Sequence, residues 1–166
     1  MTATDGFTCA CCDVTHEGFP AIAFDAPAYW EPDMTGRPGC RLTSDLCEIE
    51  GRDFFVRAVL RIPVVDAGQD FEWGLWVSQS ERNFRRLQRP WNVVRQHRIE
   101  PTFGYVSNDL PGYGEPTLEV TSMLHHQRRG WRSLVDLEPT DHPRAVEQRE
   151  GITTARVHEL TAFLQA

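Results

Sequence analysis

Apolar and polar residues alternate through the middle of the chain with the period of two that predicts β-strands. The clearest case spans residues 53–65, where one face carries an unbroken apolar row of Phe54, Val56, Ala58, Leu60 and Ile62. The opposite face mixes large and charged side chains, namely Phe55, Arg57, Val59 and Arg61. The pattern therefore predicts that the first face points into the core.

Further strands are predicted on both sides of this one. Residues 44–50 precede it across the turn Gly51-Arg52, and residues 71–78 follow a short loop, which favours an antiparallel hairpin. Three more strands are expected at residues 102–107, 117–124 and 131–138. Residues 18–27 form at most a brief edge strand, and residues 28–41 have the prolines and glycines of a loop.

Three helices complete the pattern. Ser78 or Ser80 is expected to cap a helix over residues 81–87, and Pro90 to end it. His142-Pro143 starts a second helix that Gly151 stops, and Thr153 or Thr154 caps a third. Strands followed by helices predict an α+β fold, an antiparallel sheet of about five strands with the C-terminal helices packed on one face.

Composition and charge narrow the class of protein. The 166 residues are 40% hydrophobic and 25% charged, as in an ordinary globular protein, and the formal net charge is −7. All seventeen basic residues are arginine. Because proteins that bind phosphates usually carry excess basic charge, we expect no nucleic-acid or membrane partner, although a protein partner remains open. The N-terminus lacks the apolar core of a signal peptide, which favours a cytoplasmic location.

Cysteine spacing near the N-terminus carries the strongest chemical signal. Cys9 and Cys12 are three positions apart and His16 follows four residues later, which places three zinc ligands in one loop. Cys47 on a predicted strand is the preferred fourth ligand over Cys40 in a loop. The sequence thus predicts a structural zinc site, a zinc knuckle; the alternative is that the cysteines are ordinary reduced thiols. A thioredoxin-like redox pair is disfavoured, because no βαβ pattern surrounds the motif.

The expected organisation is a single domain over residues 1–166. Its parts are a zinc-knuckle and loop region at 7–47 docked on the core, an antiparallel sheet with one helix at 44–138, and C-terminal helices at 142–165. Binding of metal would attach the irregular first forty residues to the sheet.

Other chemistry in the chain is weaker. Asp141, His142 and Glu147 are able to perform acid-base chemistry, but their spacing matches no known motif and a helix start accounts for the first two. The arginines and aromatic residues of segment 82–98 are read as a solvated helix face and not as a nucleic-acid site. Trp73 and Trp76 should face opposite sides of a strand, which makes the outward one a candidate contact residue, although burial is the commoner outcome.

Several blocks of sequence resemble an uncharacterised bacterial family, domain of unknown function 2199, over residues 7–164. The matching blocks are Cys9-x-x-Cys12-x-x-x-His16-Glu17-Gly18, Phe24-Asp25-Ala26-Pro27, Ser44-Asp45-Leu46-Cys47, Trp73-Gly74-Leu75-Trp76-Val77-Ser78, Leu110-Pro111-Gly112-Tyr113, Leu137-Glu138-Pro139-Thr140-Asp141-His142-Pro143 and Gln148-Arg149-Glu150-Gly151-Ile152. The resemblance implies one domain and the cysteine pattern, and it supplies no catalytic residue. Cys11 and the loop bearing Cys40 depart from the family pattern, so either is an alternative to Cys47 as a ligand.

Two functional hypotheses follow. The first is a zinc-binding protein with a structural metal site that acts through protein contacts. The second is a metal-dependent or acid-base enzyme that uses the region of Asp141, His142 and Glu147. A closed site with four protein ligands would favour the first, and an open metal position in a pocket would favour the second.

Overall fold

The regular structure consists mostly of strands. The computed structural model describes residues 6–8, 15–89 and 95–163. The strands are β1 (Gly6–Thr8), β2 (Thr15–Glu17), β3 (Ile22–Ala23), β4 (Arg41–Leu42), β5 (Leu46–Ile49), β6 (Asp53–Val64), β7 (Gln69–Gln79), β8 (Thr102–Tyr105), β9 (Thr121–His125) and β10 (Ser133–Leu137). The helices are α1 (Glu81–Gln88), α2 (Pro143–Glu150) and α3 (Thr154–Ala162), with 3-10 turns at Pro32–Met34 and Gln96–Arg98.

The hairpin of β6 and β7 is the centre of the fold. Its strands pair antiparallel from Phe54 opposite Gln79 to Val64 opposite Gln69, as the short connection predicted. The apolar row of β6 faces inward, and Ala58, Leu60 and Ile62 are completely buried. The alternation in the sequence therefore identified both the strand and its core face.

The predicted five-stranded antiparallel sheet is wrong, because eight of the ten described strands form a mixed sheet and β1 and β2 form a separate antiparallel pair. Its main path is β3-β7-β6-β10-β9-β8, and β5 pairs with both β4 and β6. Two pairings are parallel, β3 with β7 and β10 with β6. The physical reason is that β5 covers only residues 53–56 of the long strand β6, so that β10 can pair with the free edge from Ala58 onward.

The sheet also curls so that its far strand returns to the central hairpin. Val106, just after β8, bridges Val77 of β7, and the Ser107 amide donates to the Trp76 carbonyl at 2.8 Å. Gly104 permits this approach, because a Cβ there would lie 2.1 Å from the Ser78 carbonyl oxygen. The main core is enclosed between the curled sheet and the helices.

The helices begin and end close to the predicted residues. Ser80 caps α1, whose Phe84 and Leu87 are buried. His142 and Thr153 cap α2 and α3, and α2 ends at Gly151 with a φ of 84°. No helix in the described ranges is long and apolar enough to cross a membrane.

A second apolar cluster lies on the outer face of the sheet. It contains Cys47, Ile49, Phe55 and Trp76, and it is covered by partly buried residues from the segment before β5, including Trp30, Met34 and Leu42. Trp73 lies in the main core, and both tryptophans are completely buried. The two tryptophans face opposite sides, as expected, and both have the burial that was the commoner outcome; the alternative of an outward contact residue is wrong, because the segment at 24–42 packs over that face.

Candidate functional site

Only two of the four predicted zinc ligands, His16 and Cys47, lie among the described residues. Cys9 and Cys12 lie outside the described residues, as does Cys11. The backbone of His16 belongs to β2 and pairs with Phe7 of β1. No group of three or more His, Cys, Asp or Glu side chains suited to a metal occurs among the residues that are described.

Cys47 has the surroundings of a buried thiol. It is 1% exposed, lies opposite Phe55 in the β5–β6 pairing and packs in the outer apolar cluster. Burial, with smaller contributions from Cys40 and Glu48, raises the pKa of its thiol to about 12. The neighbouring Cys40 sulfur accepts a hydrogen bond from the Glu50 amide at 3.4 Å. In these surroundings Cys47 is protonated at neutral pH.

The N-terminal strands and Cys47 are associated with opposite ends of the central hairpin. Gly18, two residues after His16, lies against Gln69 at the start of β7. Cys47 lies opposite Phe55, which pairs with Ser78 near the end of β7. Nine residues of strand separate these points, a distance of about 30 Å.

In the second predicted group, His142 and Glu147 are engaged in structural contacts. The His142 Nε2–H donates to the Pro116 carbonyl at 3.0 Å, and its Nδ1 accepts from the Arg144 amide at 3.2 Å, so the ring caps α2. Glu147 accepts from the Tyr113 hydroxyl and from Arg156 Nε. Asp141 is exposed. These contacts give His142 and Glu147 roles in holding α2 in place.

Beside Glu147 lies a buried arginine that the sequence did not indicate. Arg144 is completely buried, and its guanidinium carbon is 4.9 Å from the Trp73 ring centroid and 4.3 Å from that of Tyr113. Its three side-chain nitrogens have no hydrogen-bond partner in the described part of the chain. Burial lowers its pKa to about 10, which still leaves it charged at neutral pH.

A cavity lies where two strands begin beside β6. β5 runs antiparallel to β6 and β10 runs parallel to it, so that both start next to Arg57. The Arg57 amide donates to the Asp45 carbonyl at 2.9 Å at this junction. The cavity has a volume of about 830 Å³ and extends around this edge of the sheet. We call it the arginine groove; its charged lining residues are Arg41, Arg57, Arg61, Arg132, Asp45 and Glu72.

The arginine groove carries a local excess of positive charge in an acidic protein. Its four arginines face only two carboxylates, and Arg132 pairs with Asp45 while Arg61 pairs with Glu72, each at 2.8 Å. Burial alone would raise the pKa of Asp45, but hydrogen bonds from Arg132 and Ser44 and the charge of Arg57 hold it below its ordinary value. Arg41 forms no ion pair with any described side chain.

Two buried donors of residues that line the arginine groove have no acceptor among the described residues. Arg57 contacts the Ser44 carbonyl through Nη1 at 3.3 Å, but its Nε has no partner. The Gln88 side-chain nitrogen is likewise buried and has no partner within the described ranges. Buried donors are nearly always satisfied in folded proteins, so these two call for acceptor oxygens from an ordered water or a ligand.

Sequence reasoning assigned no function to the arginines that form this site. Arg57 and Arg61 alternate along the outer face of β6, opposite the core face. By contrast, Arg85 of the basic segment 82–98 pairs with Glu48 at 2.8 Å and lies over the Phe54 ring. The arginine groove is therefore built mainly from strands that converge only in the folded chain.

A chain of buried polar side chains starts at one wall of the arginine groove. Ser133 Oγ is 2.8 Å from His126 Nδ1, His126 Nε2 is 3.0 Å from Thr102 Oγ1, and Thr102 donates to Gln79 Oε1 at 2.7 Å. The Gln79 nitrogen donates to the Ser78 and Phe103 carbonyls. Ser133 lines the groove, and the other three residues are buried and are not among its lining residues.

These contacts fix the tautomer of His126. The Thr102 hydroxyl hydrogen is used toward Gln79, so Thr102 must accept from His126 Nε2–H, and Nδ1 is left to accept from Ser133. Burial, with the nearby charges of His125 and Arg86, lowers the pKa of His126 to about 4. The imidazole is therefore neutral at physiological pH.

Comparison with known proteins identifies one family. The family model described as "Uncharacterized protein conserved in bacteria (DUF2199)" matches residues 8–152. No curated protein and no solved structure matches the chain.

Proposed function

The chain belongs to DUF2199, a bacterial family of uncharacterised proteins, and we propose that this member is a binding protein whose arginine groove holds an acidic segment of a partner protein. The proposal rests mainly on one observation: buried donors on Arg57 and Gln88 line the groove without acceptors. Carboxylate oxygens satisfy guanidinium donors with strong, charge-assisted hydrogen bonds.

The charge of the arginine groove supports an anionic ligand. The formal net charge of the chain is −7, yet the groove lining has more arginines than carboxylates. A general attraction to polyanions is not expected from such a chain, so binding of an acidic segment would depend on this local surface.

The shape and rim of the arginine groove favour a protein over a small molecule. The cavity is an open groove along strand starts, and Trp131 at its rim is 66% exposed. Tryptophan and arginine are enriched at the energetically important positions of protein interfaces. An extended segment with two or more carboxylates suits Arg41 and Arg57.

Fluorescence anisotropy with labelled hexaglutamate tests this proposal. We expect hexaglutamate to bind more tightly than hexaserine, and Arg57→Gln to weaken its binding about tenfold, since one charge-assisted contact contributes roughly 1.4 kcal/mol. Arg82→Gln, an exposed arginine of α1 outside the groove, is the matched control and should leave the affinity unchanged. Equal binding of the two peptides, or equal weakening by both variants, would overturn the proposal.

We also propose that Cys9, Cys12 and His16 bind one structural zinc ion, which the Cys-x-x-Cys spacing and the thiolate and imidazole donors support. For the fourth ligand, the strand length of about 30 Å between the Gly18 and Cys47 positions favours Cys11 over both Cys47 and Cys40.

Elemental analysis of the purified protein tests the zinc proposal. We expect one zinc per chain in the native protein and in Cys47→Ser, and loss of zinc in Cys12→Ser and Cys11→Ser. Loss in Cys47→Ser with retention in Cys11→Ser would restore Cys47 as the fourth ligand. A native protein without zinc would overturn the site altogether.

A further inference from the structure

We propose that Ser133 and His126 form a nucleophile and base pair that hydrolyses a carboxylic ester at the inner wall of the arginine groove. The preference for a substrate that also bears a carboxylate rests on the proposed anion-binding function of the groove. The hydrolytic pair itself stands on a separate set of contacts.

The first support is the direction of the hydrogen bonds. Ser133 donates to His126 Nδ1 at 2.8 Å, which is the contact that a general base needs in order to take a hydroxyl proton. Since the Nε2–H is held by Thr102, the free lone pair of the ring points at Ser133 and not away from it.

The second support is that the base is positioned by a further polar chain. Thr102 is held by Gln79, and Gln79 is anchored on two backbone carbonyls. Thr102 and Gln79 are thus positioning residues, which occupy the place that an acidic residue takes in other serine hydrolases.

The third support is access. Ser133 is among the residues that line the cavity of about 830 Å³ and is 9% exposed, and His126, Thr102 and Gln79 are not among the lining residues. An ester that enters the arginine groove would meet the serine oxygen before the histidine. The guanidinium groups of Arg41 and Arg57 can hold a carboxylate on the same substrate.

The reaction balances with water as the only co-reactant. Ser133 Oγ bonds to the ester carbonyl carbon as its proton passes to His126 Nδ1, and the carbon–oxygen bond to the alcohol then breaks. The alcohol leaves with that proton, and an acyl ester remains on Ser133. Water attacks this ester while His126 Nδ1 takes one of its protons, the bond from the acyl carbon to Ser133 Oγ breaks, and that proton passes to Ser133 Oγ as the carboxylic acid leaves.

Two probes test the proposal, an uncharged fluorophosphonate and p-nitrophenyl hemisuccinate, an anionic ester. We expect the fluorophosphonate to label Ser133, as located by peptide mass spectrometry. We expect Ser133→Ala to abolish labelling and to lower ester hydrolysis at least about a hundredfold. Ser122→Ala, a buried serine on the neighbouring strand, is the matched control and should retain both.

Positioning by Thr102 has its own readout. Thr102→Val keeps the shape of the side chain and removes the acceptor, so kcat should fall while KM stays the same.

Arg57→Gln should raise KM for the hemisuccinate and leave fluorophosphonate labelling unchanged. Labelling at another residue, no labelling of the folded protein, or full hydrolysis by a folded Ser133→Ala variant would overturn the hydrolytic pair.

The two proposals fail separately. If Arg57→Gln changes neither hexaglutamate binding nor KM for the hemisuccinate while Ser133 is still labelled, the anion-binding function alone is overturned. Peptide binding without labelling would overturn the hydrolytic pair alone.

Discussion

Arg132 Nε donates to the carboxylate of Asp45 at 2.8 Å and thereby joins the starts of β10 and β5. The pair closes one side of the arginine groove and also brings a negative charge into it. Because Asp45 is the acidic residue whose pKa Arg57 helps to lower, it competes with any bound carboxylate for that guanidinium.

Removal of the Asp45 charge should therefore strengthen binding of an acidic ligand. We expect Asp45→Asn to increase the affinity for hexaglutamate about threefold, since exposed ion pairs contribute roughly 0.2 to 1 kcal/mol. Asp33→Asn removes an exposed carboxylate that pairs with Arg37 away from the arginine groove, and it should leave the affinity unchanged. A lower affinity in Asp45→Asn would contradict this prediction. It would show that the ion pair of Arg132 and Asp45 is needed to maintain the shape of the arginine groove.

His126 should make stability depend on pH. Burial lowers its pKa from 6.5 to about 4 in the folded protein, so between these values the unfolded chain binds a proton that the native chain does not. The stability that His126 contributes is complete above pH 6.5 and is lost as the pH falls toward 4, by about 3 kcal/mol in all.

Urea unfolding between pH 7.5 and 4.5 measures this effect. The free energy of unfolding of His126→Gln should fall less steeply with decreasing pH than that of the native protein. His97→Gln alters an exposed histidine and should keep the native slope. Parallel pH profiles for all three proteins would contradict the assignment of a neutral buried imidazole.

Gly104 tests the return of β8 to β7. A Cβ at this residue would lie 2.1 Å from the Ser78 carbonyl oxygen and 2.5 Å from Val77, so Gly104→Ala must separate the strands. We expect a loss of about 3 kcal/mol or more in urea unfolding. Gly114 has no atom within 4 Å of its Cβ position, and Gly114→Ala should change stability by less than about 0.5 kcal/mol. Equal effects would mean that the two strands do not meet as described.

Arg144 should be replaceable by an apolar residue of similar length. Its guanidinium gains from the Trp73 and Tyr113 rings, but three buried nitrogens without partners oppose that gain. We expect the free energy of unfolding of Arg144→Met to lie within about 1 kcal/mol of that of the native protein, or above it. Arg144→Ala leaves a cavity, and we expect it to lower the free energy of unfolding by about 2 kcal/mol or more. A large loss in Arg144→Met would indicate that the charge itself stabilises α2.

Local patterns predicted the elements much better than their arrangement. Alternation along residues 53–65 identified β6 and its core face, and Ser80, His142 and Gly151 marked helix ends because capping is a local property. Parallel pairing of β10 with β6 was not predictable, since a sequence pattern does not show which strand fills a free edge.

The candidate site was even harder to predict from the sequence than the arrangement of the strands. Arg57 and Arg132 are 75 positions apart in the printed sequence and meet only because β5 and β10 start side by side. His126 and Ser133 match no sequence motif. Their hydrogen-bonded chain with Thr102 and Gln79 forms only when the strands come together in the folded protein. The cysteines, by contrast, gave a strong local signal that lies largely outside the described residues and stays a prediction.

The arginine side chains themselves give the most direct test of the binding function. In a titration of ¹⁵N-labelled protein with hexaglutamate, the Nε–H resonance of Arg57 should shift with saturation, together with that of Arg41. The resonances of Arg37 and Arg52, which pair with carboxylates elsewhere, should stay in place. Shifts confined to arginines outside the arginine groove, or no shift at Arg57 while the peptide binds, would contradict the proposed function.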